Sequence, residues 1–104
     1  MERLSKINFH PKVREDMDRL DGSVRKYIFK ALERIQQNPS IGKQLGHRSG
    51  RNLTGLFSVK LKKLGVRIVY ERKSESNIVA LVIAIGPRER HRVYEDAARR
   101  KRSE

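Results

Sequence analysis

Residues Ile78 to Ile85 read IVALVIAI, eight apolar side chains in succession with no polar position among them. A surface helix shows a polar stripe and a half-exposed strand alternates, so a run with neither belongs to a strand covered on both sides or by neighbouring elements. It is much too short to cross a bilayer, which takes about 20 apolar residues in a helix. The chain is therefore expected to fold around one central strand.

A different pattern precedes it. Phe57, Val59 and Leu61 alternate with Ser58, Lys60 and Lys62, the period of a strand with one buried face and one open, cationic face. Gly65 closes a turn, which sets Leu61 opposite Val66 and Lys60 opposite Arg67. Like charges directly opposed across a hairpin cost about a few tenths of a kcal/mol. The pairing makes most sense if an anion, read here as a phosphate, lies across that face.

The rest of the chain supplies partners for these strands. Leu4 to Phe9 offers a short first strand, and Pro11 stands as a first helical residue before a Val13, Met17 and Leu20 stripe. Asp21-Gly22-Ser23 interrupts that helix. A second follows, with Val24, Tyr27, Ile28, Ala31, Leu32 and Ile35 on one 3.6-period face, and Asn38-Pro39 stops it. Gly42 to Gly55 reads as a polar, glycine-punctuated loop. From Arg90 the pattern predicts a helix with Val93, Tyr94 and Ala97 inward and a basic end that frays from about residue 99. Tyr27 and Tyr70 are expected in the core. The order β-α-α-β-β-β-α predicts a single domain over residues 1–104. Its class is two-layer α+β, a largely antiparallel four-stranded sheet on a helical hairpin with a C-terminal helix. The free face of the sheet is the expected site.

Charge narrows the partner. Lys and Arg number 25 against 12 Asp and Glu, a net charge of +13, and no carboxylate occurs from Gln36 to Tyr70. Over that span Lys43, Arg48, Arg51, Lys60, Lys62, Lys63 and Arg67 accumulate. Such a single-sign field attracts a polyanion, nucleic acid first, with anionic headgroups and an acidic protein segment as competitors. The absence of cysteine excludes disulfides and thiolate metal sites. Asp16 and Asp18 point to different sides of a helix, so neither a metal nor a cofactor is expected. With no secretory signal or membrane span visible, a cytoplasmic location is expected.

The N-terminal strand, the helical hairpin ending in Asn-Pro, the V-K-L strand, G-x-R-I-V-Y, the apolar strand and the closing G-x-R-x-R-x-x-V-Y together resemble the RelE-type toxins of the RelE/ParE toxin–antitoxin superfamily. The likeness spans nearly the whole chain and is densest over Phe57 to Ala98. It implies a ribosome-dependent mRNA endoribonuclease that acts in the ribosomal A site, contacts ribosomal RNA, is monomeric when free and is silenced by a cognate antitoxin. On this resemblance Lys60, Arg67, Arg88 and Tyr94 occupy the catalytic positions. Ser58 stands where RelE has another lysine, a departure for which Lys62 or Arg90 would compensate. Ser58 itself, Lys63, Arg51 and His91 complete the candidate RNA contacts, and no histidine aligns with the catalytic histidine of sister types.

RNA can be cleaved without metal when its 2′-hydroxyl attacks the adjacent phosphorus, which needs a base, a cation for the five-coordinate phosphorus and an acid for the 5′ oxygen. Lys60 beside Arg67 is the candidate base or phosphate ligand, since a neighbouring cation favours the neutral amine. Arg67 suits the non-bridging oxygens and Arg88 the transition state, while Tyr94 would stack on a base or relay the 2′ proton. Two rivals share these cations: a ParE-like toxin that poisons DNA gyrase, and a non-catalytic RNA- or ribosome-binding module.

Overall fold

The computed structural model describes residues 4–48, 50–75, 77–87, 89 and 92–103. After β1 (Ile7–Phe9) the chain makes α1 (Val13–Asp18) and α2 (Gly22–Gln37). Helix α1 begins two residues beyond Pro11, because the His10 ring accepts the Lys12 N–H at 3.1 Å and holds residues 10 to 12 in a turn. The Asp21 carboxylate accepts the Ser23 N–H at 3.0 Å and starts α2, and Asn38, in extended geometry, ends it. Ile28, Ala31, Leu32 and Ile35 form its buried stripe, as the periodicity predicts.

The strands β2 (Lys43–Gln44), β3 (His47–Arg48), β4 (Arg51–Asn52), β5 (Leu56–Leu61), β6 (Val66–Glu75) and β7 (Ile78–Pro87) follow, and α3 (Arg92–Ser103) closes the chain. The main sheet runs β1-β7-β6-β5-β2. Among the described residues only the β1–β7 pairing is parallel. The apolar run thus lies in an interior strand. There are five strands rather than the expected four, because β2 pairs Lys43 with Ser58 and Gln44 with Phe57. The same stretch, read as loop, also holds the β3–β4 ribbon. Two-residue strands carry no period to read.

Both faces of the sheet are covered. On one, Ile7, Val59, Ile68, Tyr70 and Val82 pack with the helical stripe. On the other, Leu56, Val69, Ile83 and Ala84 meet Val93, Tyr94 and Ala97 of α3, with Leu45 and Leu53 beside them. The expected two-layer fold left this face free as the site; the inward side chains of α3 cover it instead. Val69 pairs with Ala84 and Tyr70 with Val82, so Ile83 is an extra bulge residue that joins Ala84 on the α3 side.

Two polar ties lock the layers. The buried Tyr70 hydroxyl accepts the Gly42 N–H at 2.9 Å and donates to the Pro39 carbonyl at 2.7 Å. A Cβ at Gly42 would lie 2.5 Å from that oxygen, so only glycine fits the approach. The second tie joins α1 to α3. Arg100 donates to both Asp16 carboxylate oxygens, at 2.6 and 2.9 Å, and to the Ile83 carbonyl at 3.0 Å, while Asp16 accepts the Ile85 N–H at 3.0 Å. Strand β1 stops opposite Val82, and these two side chains take over the backbone groups of β7 beyond it. Arg100 is 7% exposed and α3 continues to Ser103, so residue 100 is anchored in the fold where the sequence predicts fraying. Among the described residues no helix is long and apolar enough to cross a membrane.

Candidate functional site

The β5–β6 hairpin turns through a single 3-10 turn, Lys62–Leu64, and closes on Gly65, whose φ of +64° is left-handed and suits a residue without Cβ. That four-residue turn fixes the register, with Leu61 opposite Val66 and Lys60 opposite Arg67. The two cations are cross-strand neighbours, as the sequence predicts. Lys60, Lys62 and Lys63 are exposed, and Arg67 is half-buried.

Helix α3 completes the arrangement. Arg67 Nη1 donates to the Tyr94 hydroxyl, and the guanidinium carbon lies 5.3 Å from the centroid of the same ring. Arg67 Nε is buried with no hydrogen-bond partner. Tyr94 itself is 2% exposed. Its ring is packed against the sheet, so in this structure it does not offer a face to a base; it holds the arginine. Beside Lys60 a shallow groove of about 570 Å³ runs along the rim of β5, lined by Arg34, Lys43 and Val59 among others. Strand β2 pairs with β5 only at Phe57 and Ser58, which leaves the β5 edge past Ser58 open to this groove.

The structure parts the remaining candidates. Ser58, expected to contact RNA, is 2% exposed, and its hydroxyl is buried without a hydrogen-bond partner. The covering layer of Leu45, Leu53 and α3 buries the strand's polar-reading face up to that residue. Arg51 bridges β4 to α3 through a 2.8 Å ion pair with Glu95. Arg88, Arg90 and His91 lie outside the described residues; β7 ends with Gly86 opposite Arg67 and Pro87 opposite Val66. Asp16 is bound to Arg100. Tyr27, expected in the core, is 44% exposed. It stands at the margin of the α2 stripe, where Ile28 takes the interior position.

Residues 7–92 match the family described as ParE toxin of type II toxin-antitoxin system, parDE. The chain is 29% identical over 94 residues to the mRNA interferase toxin RelE of Escherichia coli K12, covering 90% of this chain and 94% of that protein. It is 30% identical over 96 residues to a putative RelE-like toxin protein of Escherichia coli, with 92% and 96% covered. Among solved structures it resembles a mutant of E. coli RelE in the free state, with a TM-score of 0.71 and 27% identity over 90% of this chain and 94% of that one. The intact E. coli RelBE toxin–antitoxin complex gives a TM-score of 0.65 at 27% identity, over 81% of this chain and 96% of that one.

Proposed function

This chain belongs to the ParE toxin family of type II toxin–antitoxin systems, and on that premise we propose that it is an mRNA interferase, an endoribonuclease that stops translation by cutting mRNA on the ribosome. The observation that carries this reading is Lys60 set opposite Arg67, with Arg67 held by Tyr94. The names of the interferase relatives support it.

In the proposed reaction the RNA 2′-oxygen attacks the adjacent phosphorus and loses its proton. The bond from phosphorus to the 5′ oxygen then breaks and that oxygen takes a proton from water, leaving a 2′,3′-cyclic phosphate and a 5′-hydroxyl. Lys60 binds the phosphate or takes the 2′ proton. Arg67 meets the charge that grows on the non-bridging oxygens, where a fixed guanidinium fork fits. Arg88 is proposed as the second cation on the phosphorane, and Tyr94 as the residue that positions Arg67 rather than one that touches RNA. Lys62, Lys63, Arg51, Arg90 and His91 are the proposed contacts to mRNA and ribosomal RNA. A site with so few acid–base groups depends on the ribosome to orient the substrate, and orientation supplies about 7 to 11 kcal/mol.

A cognate antitoxin is the proposed partner, as the structural neighbours that hold RelE with RelB suggest by likeness. The proposed place of action is the cytoplasm, where the substrate is translated. The family match also supports a second reading, gyrase poisoning without RNA cleavage. Primer extension on mRNA from translating ribosomes, with and without the protein, separates the two. New codon-periodic 5′ ends are expected. DNA breaks with unchanged mRNA ends would establish the gyrase reading instead.

A further inference from the structure

A second groove, of about 540 Å³, adjoins the proposed phosphate site, lined by Tyr27, Leu61, Leu64 and the three lysines Lys60, Lys62 and Lys63. It lies between the exposed margin of α2 and the tip of the β5–β6 hairpin. Lys60 lines both this groove and the one along the β5 rim, so a chain bound at Lys60 can cross the open edge of β5 from one to the other. Tyr27 is 44% exposed and Leu64 37%. Lys26 Nζ sits 5.2 Å from the Tyr27 ring centroid, which secures one side of the ring with a cation and leaves the remainder to the groove.

An exposed aromatic ring and an apolar side chain among three lysines match the two chemistries of single-stranded RNA, a flat base and a charged backbone. We propose that this groove is a nucleotide subsite flanking the cleaved bond. Tyr27 stacks on the base next to the phosphate held at Lys60, and Lys62 and Lys63 take the phosphates that follow. The inference rests on the RNA-cleaving reading above. It adds a binding residue from α2, on the far side of the β5 edge from Arg67 and Tyr94. Because every base has a π-face, the subsite distinguishes single strands from duplex rather than one base from another.

The test is a fluorescence titration of the protein with a short 2′-O-methyl RNA carrying one 2-aminopurine, moved position by position, alongside ribosome-dependent cleavage by the same proteins. The wild type is expected to quench the probe at one position, and Tyr27→Phe to keep both quench and affinity. Tyr27→Ala is expected to lose that quench and to bind about 5- to 100-fold more weakly, as stacking losses on such surfaces do. Its exposure makes a folding defect avoidable, and an unchanged thermal melt verifies this. Wild-type quench and affinity in Tyr27→Ala, with cleavage intact, would overturn the subsite alone. A wild type that neither binds the probe nor cuts mRNA would overturn both readings.

Discussion

A guanidinium that donates to a buried tyrosine hydroxyl and lies against the same ring has lost most of its rotamer freedom before any ligand arrives. Arg67 is in that position, so the ordering cost of binding a phosphate is reduced there. Tyr94→Phe keeps the ring and removes the hydroxyl. It is expected to lower kcat for mRNA cleavage by about 10-fold, the order of a hydrogen bond to a charged group, with KM unchanged because the charge remains. A fall confined to KM would contradict the positioning role. Tyr70 is the other tyrosine with a structural hydroxyl. Burial raises its pKa above the ordinary 10.0, opposed by the Gly42 N–H bond and by Arg72. The folded state therefore holds the phenolic proton more tightly than the unfolded chain. That stability is complete below pH 10.0 and is lost as pH climbs through the raised folded value. Tyr70→Phe leaves the Gly42 N–H and the Pro39 carbonyl without this partner, at a cost of about 1 to 3 kcal/mol near neutrality. Urea melts of the two proteins should show that gap narrowing above pH 10.0.

At the scale of elements, α1 and α3 depend on each other. Their link is the Asp16–Arg100 pair, 8% and 2% exposed on the arginine and aspartate sides, and its attachments are the backbone groups of Ile83 and Ile85. A desolvated pair gains little over apolar residues, but stranding one partner is costly. Arg100→Ala leaves the Asp16 carboxylate buried and is expected to destabilise the fold by about 3 to 5 kcal/mol in denaturant melts. The double variant Asp16→Leu, Arg100→Met should recover much of that loss. If the double variant were as unstable as the single one, the pair would matter for its bonds to β7 rather than its charge. Tyr94 sits on the helix that this pair anchors, so the Arg67 geometry depends on a contact at the opposite end of α3.

Across the whole molecule, a net charge of +13 acts at long range on any nucleic acid, but few of the cations stand at the site. If Lys60, Lys62, Lys63 and Arg67 each neutralise one phosphate, log K for single-stranded RNA should fall against log salt with a slope of roughly −3, and by about 0.7 less for each lysine replaced by alanine. Arg51, already paired with Glu95, should change the slope less. A slope near zero in the wild type would mean that the charge is not what binds RNA.

The amino-acid sequence by itself determined the elements that carry a period or a turn signal. Ile78 to Ile85 could only be an interior strand, the α2 stripe only a helix face, and Gly65 with its flanking alternation set Lys60 against Arg67. The two-residue strands β2, β3 and β4 have no period, and so went unread. Which side chains a distant element covers was decided by tertiary structure alone. Ser58 is buried because α3 and the segment around Leu53 lie over the sheet's second face, and Tyr27 is exposed because Ile28 takes the interior position of the α2 stripe. Asp16 meets Arg100 across 84 positions of chain, a separation at which local pattern carries no information and only the packing of the two helices against β7 brings the charges together.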